Sequence, residues 1–547
     1  MDTKRLILFV IMSFSILLLW DSWQRHQLSQ NPQDSTVVTR QDQSIPASSS
    51  INQNAQSIPN ASTFSLDSGQ RINVTTDLFN VSIDTIGGDI RHLELLKHRA
   101  ADSNDKNFVL MDDTALPALY VAQTGLIGND LPTHKSRFNA DRSNYELVEG
   151  KETLEVKLSY TNQDVDVNKI YVFHRSSYVI DVRYEIHNKS SNVITPSVYY
   201  QIVHDNQSNQ GTRMMPTFTG GAYFTNSDNY KKIKFADMSK ADFTKTSTDG
   251  WIGLVQHYFV SAWIPADNLK REFYTKKLSD SIFSIGSVSE LGAIQPSSTF
   301  NVSARLYTGP QTQSELKKTA KGLEYTVDYG WLTVIATPLF WILSAIHSIV
   351  NNWGVSIILL TFLIKLLFYP LSAASYRSMA QMREVAPRLQ SLKDKFGDDK
   401  QKLQQAMMEL YKTEKINPMG GCLPILVQIP VFISLYWMLL GTVEMRHAPF
   451  FGWIKDLSAI DPYYVLPILM GSTMIIQSKL NPKPADPVQA KVMMIMPVVF
   501  SVFFFFFPAG LVLYWLVNNI LSIAQQWRIN KVIHKENLAK KKGNVSR

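Results

Sequence analysis

Cysteine is nearly absent from this chain. Cys422 is the single thiol among 547 residues, and residues 21–330 contain none. A disulfide framework is therefore excluded. The sequence also lacks a phosphate-binding loop, a His-Glu-x-x-His motif, a Gly-x-Ser-x-Gly motif and any Cys/His cluster. We therefore expect no metal, no cofactor and no catalysed covalent reaction.

Long apolar runs are missing from residues 21–330 and concentrated in residues 331–527, so the boundary between two parts of the chain falls near Tyr329-Gly330. The formal net charge of +8 could suggest a nucleic-acid partner. The basic residues lie next to the apolar runs, however, which favours membrane topology as the explanation. The composition thus predicts a soluble part joined to a membrane part.

The N-terminus has the layout of a secretory signal, because Lys4 and Arg5 precede an apolar run from Leu6 to Trp20. No small-x-small cleavage site follows, so we predict an uncleaved anchor at 1–20 with its N-terminus inside. Residues 21–62 are rich in Gln, Ser and Asn and bury too little apolar surface to fold. They are predicted to form a flexible linker.

Residues 63–325 show apolar residues at every second position, separated by clusters of Gly, Asn, Asp and Ser. This pattern predicts a β-sandwich. Its clearest stretches are Phe79, Val81 and Ile83; Ile180, Val182, Tyr184 and Ile186; and Phe300, Val302, Ala304 and Leu306.

Residues 326–352 are predicted to contain an amphipathic helix that lies flat on the outer membrane surface. Polar residues fall on one helical face, namely Thr333, Thr337, Ser344, His347 and Asn351. The face assigned to lipid carries Trp331, Leu339, Ile342 and Ile346.

Five further apolar segments are predicted to span the membrane, at 354–372, 423–440, 464–479, 493–507 and 511–527. With the anchor they give six spans and cytoplasmic N- and C-termini, with residues 21–352 periplasmic. Basic residues support this orientation: the 374–420 loop holds Arg377, Arg383, Arg388, Lys393, Lys395, Lys400, Lys402, Lys412 and Lys415, and the tail at 528–547 holds seven more.

Lys365 lies inside the second span, where a lipid-facing ammonium would cost roughly 2.5–3.5 kcal/mol. Thr361 and Tyr369 follow the same helical face at intervals of four residues. The last span has a comparable polar stripe, and the third contributes Gln428. Facing one another, these stripes would form a wet groove; the last-span members are Tyr514, Asn518, Ser522 and Gln525.

Two plainer interpretations stay open. Ser, Asn and Gln inside spans often bind neighbouring helices only, and Lys365 could extend its stem towards the inner interface. The loop at 374–416 is predicted to be a helical hairpin broken near residues 396–399. Its methionines suit contact with apolar clients or simple packing of the two helices; they include Met379, Met382, Met407 and Met408.

Several stretches resemble the Gram-negative bacterial YidC membrane protein insertase family over nearly the whole chain. They are Asp328-Tyr-Gly-Trp331, Asn352-Trp-Gly354, Tyr369-Pro-Leu371, Gly397-Asp-Asp-Lys400, Asn417-Pro-Met-Gly-Gly-Cys-Leu-Pro424, Asp461-Pro-Tyr-Tyr-Val-Leu-Pro-Ile-Leu-Met-Gly471 and Pro508-Ala-Gly-Leu-Val-Leu-Tyr514.

The resemblance implies a polytopic α-helical inner-membrane protein that has a five-span insertase core at 353–527 and a large periplasmic β-sandwich. Such a protein inserts and helps to fold membrane proteins, alone or with the Sec translocon. The family's groove carries a positive residue, usually arginine, and Lys365 stands in that place. By the same resemblance the groove includes Thr361, Gln428, Tyr514 and Trp515.

The expected partners are nascent membrane proteins, Sec components, the lipid bilayer and the ribosome, which would bind the hairpin and the basic tail residues Lys540, Lys541 and Lys542. One alternative is a secondary transporter that uses Lys365 as a substrate or proton site. Another is a periplasmic receptor in which the β-domain is the active part. Deleting residues 64–310 should leave an insertase largely working and abolish such a receptor.

Overall fold

A computed structural model describes residues 66–100, 105–114, 118–206, 217–267, 269–397, 399–414, 423–480 and 487–545. The chain divides into two compact units, with the main division between Gly330 and Trp331. We call them the β-unit and the helical unit. The anchor predicted at 1–20 and the linker predicted at 21–62 lie outside the described residues.

The described part of the β-unit consists of strands and loops, with two short α-helices, α1 (Phe235–Met238) and α2 (Gln313–Thr319), and a 3-10 helix at Leu323–Thr326. The strands are β1 (Arg71–Thr75), β2 (Phe79–Asp84), β3 (Asp89–Arg99), β4 (Asn107–Met111), β5 (Tyr120–Ile127), β6 (Asn139–Ala140), β7 (Asn144–Glu146), β8 (Thr153–Thr161), β9 (Val165–His174), β10 (Val179–Asn188), β11 (Ser197–Asp205), β12 (Gly220–Thr225), β13 (Asn229–Ile233), β14 (Phe243–Ser247), β15 (Trp251–Val255), β16 (Phe259–Pro265), β17 (Arg271–Lys277), β18 (Ile282–Glu290) and β19 (Thr299–Pro310).

Two sheets form from these strands. The first has the order β14-β17-β18-β11-β5-β3-β2-β1-β7, with β4 paired to β3. The second has the order β13-β12-β15-β16-β19-β10-β9-β8-β6. A single cluster of buried apolar side chains draws on strands of both sheets. The β-sandwich expected from the alternating pattern is therefore confirmed.

The register of β10 against β19 shows why the alternation was informative. Ile180 pairs with Leu306, and Tyr184 pairs with Val302. These side chains are buried in the shared core. Because successive side chains of a strand point to opposite faces, one row of apolar residues on each strand is enough to bury one face of the sheet.

A charged cluster also lies within the β-unit. Lys169 on β9 is fully buried, and its Nζ donates to the carbonyl oxygens of Gly87 at 2.9 Å and Thr124 at 3.1 Å. The same Nζ lies 3.8 Å from Oδ1 of Asp89, which is on β3 in the other sheet. Arg91 is 3.5 Å from the second carboxylate oxygen of Asp89. A buried ion cluster thus joins the two sheets.

The helical unit contains eight α-helices among its described residues. They are α3 (Thr333–Val350), α4 (Trp353–Leu367), α5 (Tyr369–Phe396), α6 (Lys400–Thr413), α7 (Leu423–Gly441), α8 (Val465–Leu480), α9 (Pro487–Phe504) and α10 (Ala509–Val545).

The junction between α3 and α4 is set by two asparagines. Asn351 has a φ of 55°, a left-handed conformation that ends α3. Asn352 then caps α4, because its Oδ1 accepts a hydrogen bond from the backbone N–H of Val355 at 3.0 Å. The chain therefore changes direction between these two helices.

The span predicted as one helix at 354–372 is broken. Helix α4 ends at Leu367, and α5 begins at Tyr369 with its axis turned by 67°. Pro370 explains the break, because it has no N–H to donate to Leu366 and its ring would clash with that carbonyl. It is well placed in the first turn of α5 instead.

The cytoplasmic hairpin predicted at 374–416 corresponds to α5 and α6. The two helices are separated at residues 397–399, and Asp399 caps α6 by accepting the N–H groups of Gln401 and Lys402. An apolar cluster holds the helices together: Val385 and Leu389 pack with Met382, Met407, Leu410 and Tyr411.

Few described helices pass a simple length and hydropathy test for crossing a membrane. The segment Gly330–Val350 passes alone, and the bent pair α4–α5 passes when its two helices are counted together. Helices α7, α8 and α9 contribute only shorter apolar stretches. The predicted count of six spans is not confirmed by the described residues, because most apolar helices are short.

The apolar residues of α3 differ in their exposure. Leu339, Ile342 and Ile346 are partly buried, whereas the most exposed apolar residues within the helix are Val334, Ile349 and Trp341, at 84%, 83% and 72%. Trp331 is exposed as expected. The orientation of α3 on the membrane surface therefore stays a prediction.

Candidate functional site

The centre of the candidate site is the ammonium group of Lys365, in the last turn of α4. This side chain is 9% exposed, and its Nζ donates to Oγ of Ser522 on α10 at 2.8 Å. Among the described residues no carboxylate oxygen lies within 4.0 Å of this ammonium. The charge is therefore held by a neutral partner.

Ser522 connects this charge to a second polar pair. Its hydroxyl donates to the backbone carbonyl of Asn518 at 2.7 Å, and Oδ1 of Asn518 accepts from Nε2 of Gln428 at 2.9 Å. Tyr376 on α5 also lies close to Ser522. We call Lys365, Ser522, Asn518 and Gln428 the polar cluster; it joins α4, α7 and α10.

Two other predicted groove residues are buried on α4 and α10. Thr361 is 1% exposed, and its hydroxyl donates to the carbonyl of Ile357 at 2.6 Å within α4. Tyr514 is also buried, with its ring 6.1 Å from that of Phe432 on α7. Both residues lie on the helices that carry the polar cluster, one to two turns from it.

Trp515 packs between aromatic rings. Its ring centroid lies 4.3 Å from Phe432, edge to face, and 5.1 Å from Phe504 on α9. Its Nε1 is buried without a hydrogen-bond partner in the described structure. An indole N–H in this condition can still donate to an incoming polar group.

Tyr369 does not share the stripe of Thr361 and Lys365, because the 67° bend lies between them. Its side chain is 42% exposed, and the residue contacts α10 through its backbone carbonyl, which accepts from Nε2 of Gln525 at 3.4 Å. The expected alignment of Tyr369 with the polar stripe of α4 is thus wrong, since Pro370 interrupts the helix.

The hairpin methionines have mixed environments. Met382 and Met407 pack against the Val385 and Leu389 cluster, so they hold the hairpin together. Met408 is 52% exposed, and Met379 is partly buried. Only an exposed methionine is available to an apolar client without rearrangement.

The predicted basic contact residues Lys540, Lys541 and Lys542 lie in the final part of α10, and their side chains are outside the described structure.

A second polar face of α10 was missed by the sequence reasoning. Nδ2 of Asn519 donates to Oγ1 of Thr473 at 3.4 Å, and Nε2 of Gln526 donates to the carbonyl of Leu480 at 3.2 Å. Both contacts bind α10 to α8, as polar side chains between membrane helices commonly do. The adjacent Asn518-Asn519 pair was the available signal, since neighbouring residues lie about 100° apart around a helix.

No group of three or more His, Cys, Asp or Glu side chains suited to a metal ion occurs in the described parts of the chain. The candidate site therefore offers one cation, hydroxyl and amide groups, and an indole N–H. Such groups can bind carboxylate and backbone polar groups of another chain.

Comparisons with known proteins cover the whole chain. Residues 71–342 match the family model of the YidC periplasmic domain, and residues 345–537 match that of the 60Kd inner membrane protein. A membrane protein insertase YidC from Methylobacillus flagellatus is 68% identical, with 100% of each chain covered. The counterpart from Aromatoleum aromaticum is 50% identical over 98% of this chain and 99% of its own.

A solved structure described as an active YidC insertase with its first transmembrane domain resolved is 18% identical. It covers 84% of this chain and 92% of its own, with a TM-score of 0.39. From the family models and the full-length relatives, the protein belongs to the YidC family of inner-membrane insertases, which carry a periplasmic domain.

Proposed function

We propose that this protein inserts short and single-span proteins into the inner membrane through a groove centred on the polar cluster. The observation that carries the proposal is the Lys365 ammonium, which is 9% exposed and bound to the neutral Ser522 hydroxyl. The family membership supports insertion as the overall activity. The groove is the route that we propose for the client protein.

The uncompensated charge gives the groove a preference for acidic segments. An ammonium in a low-dielectric setting attracts a carboxylate more strongly than it does in water. The apolar helix segments 353–367, 423–441, 465–480 and 509–527 contain no Asp or Glu. A client carboxylate would therefore be the counter-ion that the site lacks.

Short helices reduce the barrier that such a segment must cross. Helix α8 has 16 residues, which corresponds to about 24 Å against a hydrocarbon core of about 30 Å. A bilayer adjusts to short helices by becoming thinner. The client's own apolar segment, about 20 residues long, then supplies the driving free energy when it moves sideways into lipid.

The orientation that fits this route has six spans, with both termini cytoplasmic and residues 21–352 periplasmic. The cytoplasmic side then receives the hairpin and the tail, where most basic loop residues lie. Helix α3 would rest at the periplasmic interface. The hairpin and the tail would meet the client first, together with the ribosome or Sec components.

Reconstitution of the purified chain in liposomes tests this proposal. Two forms of one single-span client would be compared, one with an acidic translocated segment and one with Asn and Gln in place of its Asp and Glu. Lys365→Ala should lower insertion of the acidic form about tenfold, which corresponds to about 1.4 kcal/mol. Protease protection of the translocated segment measures insertion.

Lys365→Arg is the matched control, because it keeps the positive charge and should keep most of the preference for the acidic client. If Lys365→Ala lowered insertion of the acidic and the neutral client equally, the charge of Lys365 would have no role in the mechanism. Uptake of small solutes without client insertion would instead favour a transporter.

A further inference from the structure

The hydroxyl of Ser522 has its hydrogen-bonding roles fixed by its surroundings. A serine hydroxyl has one proton to donate and two lone pairs to accept with. The proton is directed to the Asn518 carbonyl at 2.7 Å, so the oxygen faces Lys365 as an acceptor at 2.8 Å. An ammonium can only donate, which agrees with this assignment.

Burial makes this contact important for the position of the charge. Ser522 is 3% exposed and Lys365 is 9% exposed, so the contact is shielded from bulk water. A lysine side chain has four rotatable carbon–carbon bonds and keeps little orientation without a partner. The Ser522 oxygen selects the conformation in which the ammonium points at α10.

The neutrality of Ser522 is as informative as its position. A carboxylate at the same place would also hold the ammonium, but it would cancel the charge and compete with any arriving carboxylate. Lys169 in the β-unit illustrates that other arrangement, because Asp89 lies 3.8 Å from its Nζ. At Lys365 the described residues offer a dipole and not a counter-charge.

We propose that Ser522 is a positioning residue, whose hydroxyl fixes the Lys365 ammonium against α10 while leaving its charge available to acidic segments of client proteins. This inference rests on the proposed insertion function and adds a residue that determines client preference. It acts through Lys365 and need not touch the client.

Three substitutions at this position separate positioning from simple packing. Ser522→Ala removes the acceptor, Ser522→Thr keeps a hydroxyl that can bond to the same carbonyl, and Ser522→Asp adds a competing carboxylate. Thr361 in α4 already makes the equivalent bond, to the carbonyl four residues earlier at 2.6 Å. The threonine variant should therefore retain the geometry.

Ser434→Ala is the matched control. Ser434 is fully buried in α7, and its hydroxyl donates to the carbonyl of Pro430 at 2.7 Å. The Ser434→Ala variant thus loses the same kind of hydrogen bond, from a serine hydroxyl to a carbonyl of its own helix, but no ammonium is bound there. Any general cost of removing a buried serine hydroxyl appears in this variant as well.

The measurement is the ratio of insertion of the acidic client to insertion of its neutral form, in liposomes containing the full chain. Ser522→Ala should lower this ratio about three- to tenfold, and Ser522→Asp should lower it at least as far. Ser522→Thr should restore the wild-type ratio, and Ser434→Ala should leave it unchanged.

A wild-type ratio for both Ser522→Ala and Ser522→Asp would overturn the positioning role, while a lowered ratio for Lys365→Ala in the same assay would leave the proposed function intact. If Lys365→Ala also kept the wild-type ratio, the proposed function itself would fail. A threonine variant as impaired as the alanine variant would assign Ser522 to packing alone.

Discussion

Lys169 and Lys365 are both buried ammonium groups, and they differ in the charge of their partners. Lys169 has the Asp89 carboxylate beside it and the rings of Phe138, Tyr171 and Tyr184 around it, each within 5.9 Å. Lys365 has Ser522. Residue type alone therefore does not distinguish a structural lysine from one available to a ligand; the partner does.

The Lys169 cluster predicts a pH dependence of β-unit stability. Burial raises the pKa of Asp89 to about 6, although Arg91 and Lys169 oppose this shift. Folded Asp89 therefore holds its proton more tightly than the unfolded carboxyl, whose usual pKa is 3.8. This group should make the β-unit lose stability as the pH rises from about 4 to about 6, by about 3 kcal/mol.

Hydrogen exchange of peptides from β3 and β9, measured on the full chain at pH 4 and pH 6, checks this expectation after correction for intrinsic rates. In Asp89→Asn the loss of stability between pH 4 and pH 6 should be smaller than in the wild type. Asp242→Asn, a substitution on the surface, should show the same loss as the wild type. The double variant Asp89→Asn/Lys169→Met serves if the single variant is too unstable. The same pH slope in the wild type and both Asp89 variants would contradict the account.

Lys169 itself should act at higher pH. Burial lowers its pKa to about 8 against the pull of Asp89, so the folded unit releases this proton more readily than the unfolded chain. Stability should then rise between about pH 8 and pH 10.5, the ordinary pKa of lysine. Taken together, the two groups should give the β-unit its lowest stability between about pH 6 and pH 8, where Asp89 and Lys169 are both charged.

Helix α4 and helix α5 show how one residue redirects an element. Without Pro370 the apolar residues from 353 to 372 would favour a single continuous helix. The proline places the 67° bend directly after the turn that carries Lys365. The hairpin therefore leaves α4 at an angle, and Tyr376 in its first helix lies close to Ser522.

Pro370→Ala should straighten this bend, because it restores an N–H donor for the carbonyl of Leu366. Spin labels at the exposed positions 359 and 381 should then move apart by about 5 Å, from the rise of 1.5 Å per residue on each side of the bend. Double electron–electron resonance measures this distance when Cys422 is replaced by Ser.

Pro387→Ala is the control for this experiment, since Pro387 lies inside α5 and beyond both labels. It should not change the distance between positions 359 and 381. An unchanged distance in Pro370→Ala would show that packing of α5 against α10, and not the proline, sets the bend.

The elements differ in how much of them could be predicted from the sequence. The β10 and β19 strands followed from a pattern with a period of two, and the hairpin followed from its apolar spacing and its break at residues 397–399. The break at Phe368 was missed, because the surrounding apolar run continues across it. The partner of Lys365 lies 157 residues away in sequence, so spacing could place Ser522 on a polar stripe but not against that ammonium.

The whole molecule combines a large β-sandwich with a compact set of short apolar helices. Polar side chains in those helices serve two purposes: Asn519 and Gln526 bind α10 to α8, and the polar cluster holds a charge. A bilayer thinned around such short helices would bring the polar cluster closer to water. The insertion route proposed for the chain depends on both features.

The central claim is that a polypeptide in transit passes beside Lys365. Photo-crosslinking amino acids at positions 361 and 514, tested with a stalled acidic single-span client, examine this claim most directly. Position 363 is the control, because Leu363 is 45% exposed and lies on the opposite side of α4 from Thr361. The account predicts client adducts from 361 and 514 that exceed those from 363 several-fold; adducts at 363 alone, or at none of the three, would contradict it.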